Sequence, residues 1–337
     1  MRSIVCQQIN EFKMTEAEIP VPQQGESLVR IKRIGICGTD LHAYKGNQPF
    51  FSYPRILGHE LSGIVEQIEG EAKGISVGDQ VAFIPYLECG ECIACRNGKT
   101  NCCTKMRVLG VHTDGGMREF IAVPTDHLIT VNQLTLDQAA VLEPLSIGAH
   151  AVRRADPQSG EKVLVIGAGP IGLGVMAFAK QRGAVVIAMD MNDQRLQFCR
   201  EWIGVDYIVN ASDNPKEQLE AITDGDYPTI VWDATGNRHS MTGAFQWAAH
   251  GGKLVYVGLV SADITFNDPE FHKKELTLMG SRNATKADFE VVIEALSSGK
   301  MDMNAYITNK TSFDSMIAEF EGWLDPANGV IKAMVEI

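Results

Sequence analysis

The sequence predicts an α/β protein with two domains, a β-rich domain followed by a doubly wound parallel sheet. The first observation is the alternation of apolar and polar residues in 27–34, typical of a half-buried strand, which residues 63–68 and 80–84 repeat. The second is a change near residue 147, after which short apolar runs alternate with segments of helical length. The third is the length of 337 residues, which suits two domains that each bury a core.

The parallel sheet is predicted from six short apolar runs, of which the first five are separated by helical segments. Parallel neighbours need long crossover connections, and helices supply them. The runs are residues 163–166, 185–189, 207–209, 230–232, 254–257 and 276–279. A helix is predicted at 146–154 before the sheet, and two more at 288–296 and near 312–323 after it. A final strand, 331–336, lies outside the six and can return to the first domain, which would then be discontinuous.

The charge balance excludes several classes of partner. Lys and Arg number 30 against 42 Asp and Glu, so the formal net charge is -12. That balance argues against a nucleic-acid backbone or an anionic membrane as the main partner. Residues 1–12 also lack the apolar core of a signal peptide. We therefore expect a cytoplasmic protein that acts on a small molecule.

A dinucleotide-binding loop is predicted at residues 167–172, with the sequence GAGPIG. Gly167 permits a tight turn after the first apolar run, Gly169 lets the backbone approach a pyrophosphate, and Gly172 lets the helix pack on the strand. Pro170 and Ile171 open that helix, where the N–H that proline lacks is not needed. The N-terminus of the helix then faces the anion.

The choice of nucleotide is predicted from the end of the second strand. This strand ends at Asp190, 23 residues after Gly167. A carboxylate there accepts both hydroxyls of the adenosine ribose and repels a 2′-phosphate. Met191 follows rather than an arginine, so NAD is favoured over NADP, and Arg195 can lie along the adenosine.

A structural zinc site is predicted in residues 89–103, which hold five of the eight cysteines. Close pairs of thiolates chelate tetrahedral zinc, and a distal cysteine closes the shell. The candidate ligands are Cys89, Cys92, Cys95 and Cys103. Cys102 adjoins Cys103, so the spacing leaves open which of the two is the fourth ligand. Cys6 and Cys199 are expected to be ordinary buried thiols.

A second, open zinc site is a hypothesis built from three separate motifs. Cys37 lies in GICGTDLH after a strand, His59 and Glu60 lie in ILGHELSG before another, and Glu143 lies in VLEPLS near the domain junction. One thiolate, one imidazole and one or two carboxylates make such a site, with room for water or substrate. No single spacing shows that these residues converge.

Together, GICGTDLH, GHE, the cysteine lobe, LEP and GAGPIGLG stand in the order and spacing of the zinc-dependent medium-chain alcohol and polyol dehydrogenases. The resemblance covers the whole chain. It implies a GroES-like β-fold for residues 1–146 with 284–337 and a Rossmann NAD-binding domain for residues 147–283. We also expect a homo-oligomer, either a dimer or a tetramer.

The resemblance also implies roles for individual residues. Catalytic zinc would be held by Cys37, His59 and Glu60, with Glu143 as a direct or water-bridged neighbour. Glu60 would be a resting ligand that the substrate displaces. Thr39 and His42 match the family's proton relay, and the cysteine motif selects Cys103 over Cys102. The reaction implied is the reversible oxidation of a secondary alcohol to a ketone, with hydride transfer to NAD.

The substrate class is predicted from one departure from the alcohol dehydrogenase pattern and from longer segments that match one group of the family. Glu143 stands where the simple alcohol dehydrogenases carry a cysteine, which favours polyol, threonine and sugar-acid dehydrogenases. The segments GNQPFFSYPR, GVHTDGG, DATGN and DPEFHKKELTLMGSRNAT resemble the L-galactonate 5-dehydrogenase group. We therefore expect an L-galactonate-like sugar acid as substrate. Lys45, Arg55 and Arg282 are candidates to bind its carboxylate.

Three other functional interpretations remain open beside that of a sugar-acid dehydrogenase. The first is a polyol or threonine dehydrogenase of the same family. The second is a regulatory NAD-binding protein without turnover, against which the full set of Cys37, His59, Glu60 and Thr39 argues. The third is a zinc-free quinone reductase of the same fold, against which the four-cysteine lobe and GHE argue.

Overall fold

The computed structural model describes residues 1–48 and 51–337. Pro49 and Phe50, which belong to the segment GNQPFFSYPR, lie outside the described residues. The chain divides into two compact units, Met1–Glu143 with Thr285–Ile337 as unit 1 and Pro144–Ala284 as unit 2. No helix among the described residues is both long and apolar enough to cross a membrane.

Short strands dominate the first part of the chain and alternate with helices in the second. The strands are β1 (Arg2–Gln8), β2 (Glu11–Glu16), β3 (Glu26–Ile36), β4 (Arg55–Ile56), β5 (Glu60–Ile68), β6 (Gln80–Phe83), β7 (Tyr86–Leu87), β8 (Arg107–Val108), β9 (Phe120–Pro124), β10 (Leu128–Thr130), β11 (Lys162–Ile166), β12 (Val185–Asp190), β13 (Tyr207–Asn210), β14 (Ile230–Asp233), β15 (Lys253–Tyr256), β16 (Thr277–Gly280), β17 (Ile307–Ser312) and β18 (Lys332–Glu336). The α-helices are α1 (Gly38–Tyr44), α2 (Ile93–Arg96), α3 (Leu136–Ala140), α4 (Leu142–Ala155), α5 (Pro170–Gln181), α6 (Asp193–Phe198), α7 (Pro215–Thr223), α8 (Arg238–Gly243), α9 (Asp268–Lys273), α10 (Lys286–Ser297), α11 (Met303–Tyr306) and α12 (Met316–Leu324). Short 3-10 segments and one π-helical turn at Cys199–Ile203 complete the secondary structure.

Unit 1 is built around the long strand β3. The main sheet has the order β10-β6-β5-β3-β18-β17, and β9 also pairs with β3. Smaller sheets are formed by β2-β1-β4 and by β7-β8. The inward-facing residues of β3, among them Val29 and Ile31, are fully buried, as the alternating pattern predicted. The predicted strands of the first domain are therefore confirmed.

The end of the chain completes the sheet of unit 1. Strand β18 pairs antiparallel with β3 and parallel with β17. The predicted final strand thus exists and returns to unit 1. The expected helix near 312–323 was partly wrong, because Ser312 ends β17 and α12 begins at Met316. The ITNKTS sequence of β17 is rich in β-branched residues and gains its pairing from β18, a partner distant in sequence.

Unit 2 is a six-stranded parallel sheet with the order β13-β12-β11-β14-β15-β16. Numbered within the unit, this is the order 3-2-1-4-5-6 of the Rossmann fold. Each of the six predicted runs corresponds to one of these strands. The side chains of Leu164, Ile187, Val231 and Leu254 are fully buried in its core. The doubly wound sheet predicted from the sequence is therefore confirmed.

Candidate active site

Two adjacent antiparallel strands bring Cys37, His59 and Glu60 together in unit 1. Strand β3 ends at Ile36, directly before Cys37, and β5 begins at Glu60, directly after His59. Because these strands are neighbours in the sheet, the end of one meets the start of the other. One potential ligand atom from each of the three side chains lies within 4.8 Å of the others. The convergence that spacing alone left open is thus present in the structure.

Asp40 connects the two segments that carry these side chains. It is fully buried, and its Oδ2 accepts a hydrogen bond from the backbone N–H of Cys37 at 2.9 Å. Its Oδ1 accepts another from the backbone N–H of Gly58 at 3.2 Å. The first bond is part of a capping box in which Cys37 is the N-cap of α1. Asp40 therefore fixes Cys37 against the segment that leads into His59.

The electrostatics of this group of side chains suit a cation. His59 is 5% exposed, and within the described part of the chain its Nδ1 has no hydrogen-bond partner and lies 3.9 Å from Oδ1 of Asp40. Burial lowers the pKa of His59, but Cys37, Asp40 and Glu143 raise it more strongly, so the net shift is upward. A buried imidazole among so many acidic groups fits a metal ion of the zinc type.

Glu60 is also bound to a buried lysine. The Nζ atom of Lys332 in β18 lies 2.6 Å from Oε1 and 2.7 Å from Oε2 of Glu60, and 3.0 Å from the carbonyl oxygen of Ile36. Glu60 is 0% exposed and Lys332 is 1% exposed. The negative charge of Glu60 therefore raises the pKa of Lys332 against the opposing effect of burial. This cation neutralises one of the acidic groups of the site.

Glu143 lies near the same group but outside the set of three converging ligands. It is 3% exposed, and its Oε1 accepts a hydrogen bond from the hydroxyl of Tyr86. Burial and the charge of Glu60 raise the pKa of Glu143 to about 7, while His59 and Tyr86 act in the opposite direction. The structure thus gives the two carboxylates different partners, a lysine for Glu60 and a phenol for Glu143.

Helix α1 carries the two residues of the expected proton relay. Thr39 is half-buried in its first turn, and His42 is exposed in its last turn. Residues three apart in a helix lie on the same side of it. The order from interior to surface therefore runs from Thr39 to His42.

The second candidate metal centre consists of four cysteines near α2. The ligand atoms of the four lie within 4.8 Å of one another, and the residues are Cys89, Cys92, Cys95 and Cys103. The backbone N–H groups of Cys89 and Lys105 each donate to Sγ of Cys103 at 3.3 Å. Hydrogen bonds from the backbone N–H groups of Cys95 and Thr104 lower the pKa of Cys92 to about 5. Four convergent sulfurs that accept backbone N–H bonds fit tetrahedral zinc.

The remaining cysteines stand apart from this centre. Cys102 is exposed, and Sγ of Cys103 rather than that of Cys102 joins the group of four. Cys6 and Cys199 are buried, and burial raises the pKa of each thiol to about 12. None of these three belongs to a candidate metal cluster within the described residues.

The glycine loop in unit 2 has the backbone that the motif predicts. Gly167 has φ +100°, which other residues rarely adopt. A Cβ on Gly172 would lie 1.8 Å from the carbonyl oxygen of Gly167, so only glycine fits there. Gly169 has open space at this position and is the N-cap of α5, which starts with Pro170 and Ile171. The N–H groups of this helix end are oriented to bind an anion.

Asp190 ends β12 beside this loop. Its Oδ2 accepts a hydrogen bond from the backbone N–H of Ala168 at 2.7 Å, and its Oδ1 accepts one from Asn192 at 2.9 Å. Each carboxylate oxygen has a second lone pair that can accept a ribose hydroxyl. Arg195 is half-buried in the first turn of α6, where Asn192 caps its backbone N–H. The carboxylate is thus fixed at the edge of the predicted nucleotide site.

Three residues around the candidate metal ligands were missed in the sequence, namely Asp40, Tyr86 and Lys332. Asp40 lies inside GICGTDLH, where its burial was not evident. Tyr86 precedes Cys89 by three residues and was overlooked beside the cysteines. Lys332 had the clearest signal, because it and Glu336 are the two charged residues in the mostly apolar terminal segment IKAMVEI.

Comparisons with known proteins identify the family of the chain. Residues 23–133 match the alcohol dehydrogenase GroES-like domain, and residues 170–298 match the zinc-binding dehydrogenase family. The L-galactonate-5-dehydrogenase of Escherichia coli K12 is 44% identical over 335 residues, which are 99% of this chain and 98% of that protein. The 2-dehydro-3-deoxy-L-galactonate 5-dehydrogenase of Pseudoalteromonas atlantica is 33% identical over 328 residues, which are 96% and 95%.

A solved structure extends the likeness to three dimensions. A short chain alcohol dehydrogenase from E. coli CFT073, complexed with the cofactor NADH, superposes with a TM-score of 0.92 at 34% identity. The match covers 100% of this chain and 99% of that one. The predicted combination of a GroES-like β-fold and a Rossmann fold is therefore confirmed. This chain belongs to the family of zinc-dependent medium-chain alcohol dehydrogenases.

Proposed function

We propose that this protein oxidises a secondary hydroxyl of an L-galactonate-like sugar acid to a ketone and transfers the hydride to NAD. The observation that carries the proposal is the 44% identity, over nearly the whole of both chains, to an L-galactonate-5-dehydrogenase. The second relative is also named for a galactonate derivative. The converging Cys37, His59 and Glu60 provide the metal ligands that such an oxidation needs.

The two cofactors have separate sets of residues. Catalytic zinc is held by Cys37, His59 and Glu60, with Glu143 bound directly or through water. Structural zinc is held by Cys89, Cys92, Cys95 and Cys103. When bound, zinc at the first site polarises the substrate hydroxyl and lowers its pKa, and NAD accepts the hydride.

The side chains around the catalytic zinc ligands transfer the proton of the substrate hydroxyl and balance the charge of Glu60. Oγ1 of Thr39 accepts the proton that the substrate hydroxyl releases and donates its own toward His42. His42 exchanges that proton with water, which its exposure on α1 supports. Asp40 holds Cys37 and the segment before His59 in place. Glu60 would be the zinc ligand that yields to substrate, and Lys332, which binds both of its oxygens, would balance the charge of the released carboxylate.

The nucleotide site consists of the glycine loop and the end of β12. The loop residues Gly167, Gly169, Pro170, Ile171 and Gly172 bind the pyrophosphate through backbone N–H groups. Asp190 accepts the ribose hydroxyls and repels a 2′-phosphate, so NAD is preferred over NADP. Arg195 lies along the adenosine.

The domain bounds, the oligomeric state and the cellular location are proposed from the same assignment to the family. We assign residues 1–146 with 284–337 to the catalytic domain and residues 147–283 to the NAD-binding domain, close to the two compact units. The chain works as a homo-oligomer, either a dimer or a tetramer. The open edge strand β16, with Leu278 41% exposed, supports association of copies. A cytoplasmic location suits eight cysteines that are all unbridged.

A panel of substrates tests the proposed function. NAD-linked turnover is measured with hexonates, polyols and threonine under one set of conditions. We expect the highest catalytic efficiency with a hexonate. Preference for a polyol or for threonine would assign the chain to another branch of the family. NADH binding without turnover of any substrate would identify a regulatory protein instead.

A further inference from the structure

Gly35 leaves the space that the side chain of Glu60 occupies. Gly35 is paired with Glu60 across β3 and β5, and β18 flanks β3 on the other side. A Cβ built on Gly35 would lie 2.2 Å from Oε2, 2.9 Å from Cβ and 3.2 Å from Cδ of Glu60. The side chain of Glu60 therefore crosses directly over the α-carbon of Gly35. With any other residue at position 35, it could not lie where it does.

Glycine is required at position 35 because of the space that Glu60 occupies and not because of the backbone conformation. Gly35 lies inside a regular strand, and its φ is outside the left-handed region that favours glycine. An alanine would be tolerated there by the backbone and would even suit a strand better. The cost of a side chain at position 35 thus falls on Glu60.

Lys332 prevents Glu60 from moving aside without loss. It binds both carboxylate oxygens at 2.6 and 2.7 Å, and the pair is buried. To reach ordinary contact with a methyl group on residue 35, Oε2 would have to move by roughly 1 Å. That movement would break the bidentate geometry. The position of the carboxylate therefore depends on the free space over Gly35 and on the hydrogen bonds from Lys332.

We infer that Gly35 is a positioning residue of the zinc site, which together with Lys332 sets where the carboxylate of Glu60 lies. The inference rests on the proposed role of Glu60 as a displaceable zinc ligand. An oxygen of Glu60 lies within 4.8 Å of the ligand atoms of Cys37 and His59. A shift of the carboxylate therefore changes its access to the metal. Gly35 has no side chain to offer a substrate or cofactor, so its effect passes through Glu60.

The first experiment compares Gly35→Ala with Gly322→Ala. Gly322 lies in α12, and a Cβ there would have Asn328 Nδ2 at 3.9 Å as its nearest neighbour, so it is a control of equal size. With cobalt in place of zinc, Gly35→Ala should change the visible absorption spectrum and Gly322→Ala should not. We expect kcat with the best substrate to fall at least about tenfold while KM changes little. An unchanged cobalt spectrum and unchanged kcat in Gly35→Ala would overturn the inference.

The second experiment tests whether the effect passes through Glu60. Gly35→Ala is made in the natural chain and in a chain that carries Glu60→Ala with Lys332→Met, in which the buried pair is replaced by apolar groups. The urea midpoint of the metal-free proteins is measured. We expect the drop caused by Gly35→Ala to be at least halved in the second chain, where only the contact with Cβ of residue 60 remains.

An equal drop in both chains would show that the methyl group disturbs the sheet itself, and the inference would fail. If Gly35→Ala does not fold in the natural chain, it should still fold in the second chain, and failure in both would again contradict it. The midpoints do not depend on turnover. A protein that oxidises no sugar acid but shows the expected difference would therefore refute the proposed function and leave the inference standing.

Discussion

Lys332 and Glu60 form an ion pair in the interior of unit 1, although 272 residues separate them in the chain. The lysine binds both oxygens of the carboxylate and also the carbonyl oxygen of Ile36, the residue before Cys37. Strand β18 thus brings a positive charge to a site that is otherwise acidic. The last residues of the chain are therefore part of the candidate metal centre.

Removal of this lysine should destabilise the protein. Lys332→Met leaves the carboxylate of Glu60 buried without its partner, and we expect the free energy of unfolding to fall by about 3–5 kcal/mol. The chain with both Lys332→Met and Glu60→Gln should lose much less, because no net charge is left unpaired. Urea unfolding of the metal-free proteins measures both values. Equal losses in the single and double variants would mean that the pair is not the cause.

The two metal centres should respond differently to substitution. The purified protein should contain about two zinc ions per chain, and Cys92→Ser and His59→Ala should each remove about one. Cys92→Ser should chiefly lower the melting temperature, because a structural zinc ion contributes to folding. His59→Ala should chiefly abolish turnover. Cys102→Ser, the exposed neighbour of the cluster, serves as control and should change neither. Active enzyme without zinc would contradict both assignments.

Cofactor preference should depend on Asp190. The natural enzyme should have a higher kcat/KM with NAD than with NADP, because the carboxylate accepts ribose hydroxyls and repels a 2′-phosphate. Asp190→Ala should narrow that difference by weakening NAD binding and relieving the repulsion. Its hydrogen bond to Ala168 is also lost, so the melting temperature is measured as a control. Equal efficiency with both cofactors in the natural enzyme would refute this role.

The proposed relay predicts a pH-dependent defect. His42→Ala should slow oxidation most at low pH, where the substrate hydroxyl gives up its proton least readily. The defect should shrink as pH rises and solvent hydroxide takes over. His272→Ala, at an exposed histidine in the last turn of α9, is a matched control. A pH–rate profile for His42→Ala that parallels the natural enzyme would show that His42 is only a surface residue.

Local patterns in the sequence predicted most of the fold. Strand β3 was evident because apolar and polar residues alternate along it, and the loop after β11 was evident because its glycines have fixed spacing. Strand β17 was missed because its stability comes from pairing with β18, which no local pattern shows. A partner distant in sequence explains that miss, whereas the hairpin of β1 and β2 is local and was missed as well.

For the candidate site, too, some features were predicted from the sequence and others needed the structure. The cysteine cluster was evident from its close spacing, whereas Cys37 and His59 were assigned through the family resemblance, because their spacing did not show that they converge. The pairing of Glu60 with Lys332, and that of Glu143 with Tyr86, required the sheet to be assembled. Spacing alone left Cys102 and Cys103 as alternatives, the family resemblance selected Cys103, and the structure places the sulfur of Cys103 in the cluster.

The assignment to sugar acids is tested by measuring catalytic efficiency with L-galactonate and with the matching polyol under identical zinc and NAD conditions. We expect a higher kcat/KM for the sugar acid and very poor activity with ethanol. A pocket built for hydroxyl groups rejects a substrate that lacks one, because each unpaired buried donor costs about 1–3 kcal/mol. A higher kcat/KM for the polyol would contradict the sugar-acid assignment and leave the assignment to the dehydrogenase family intact.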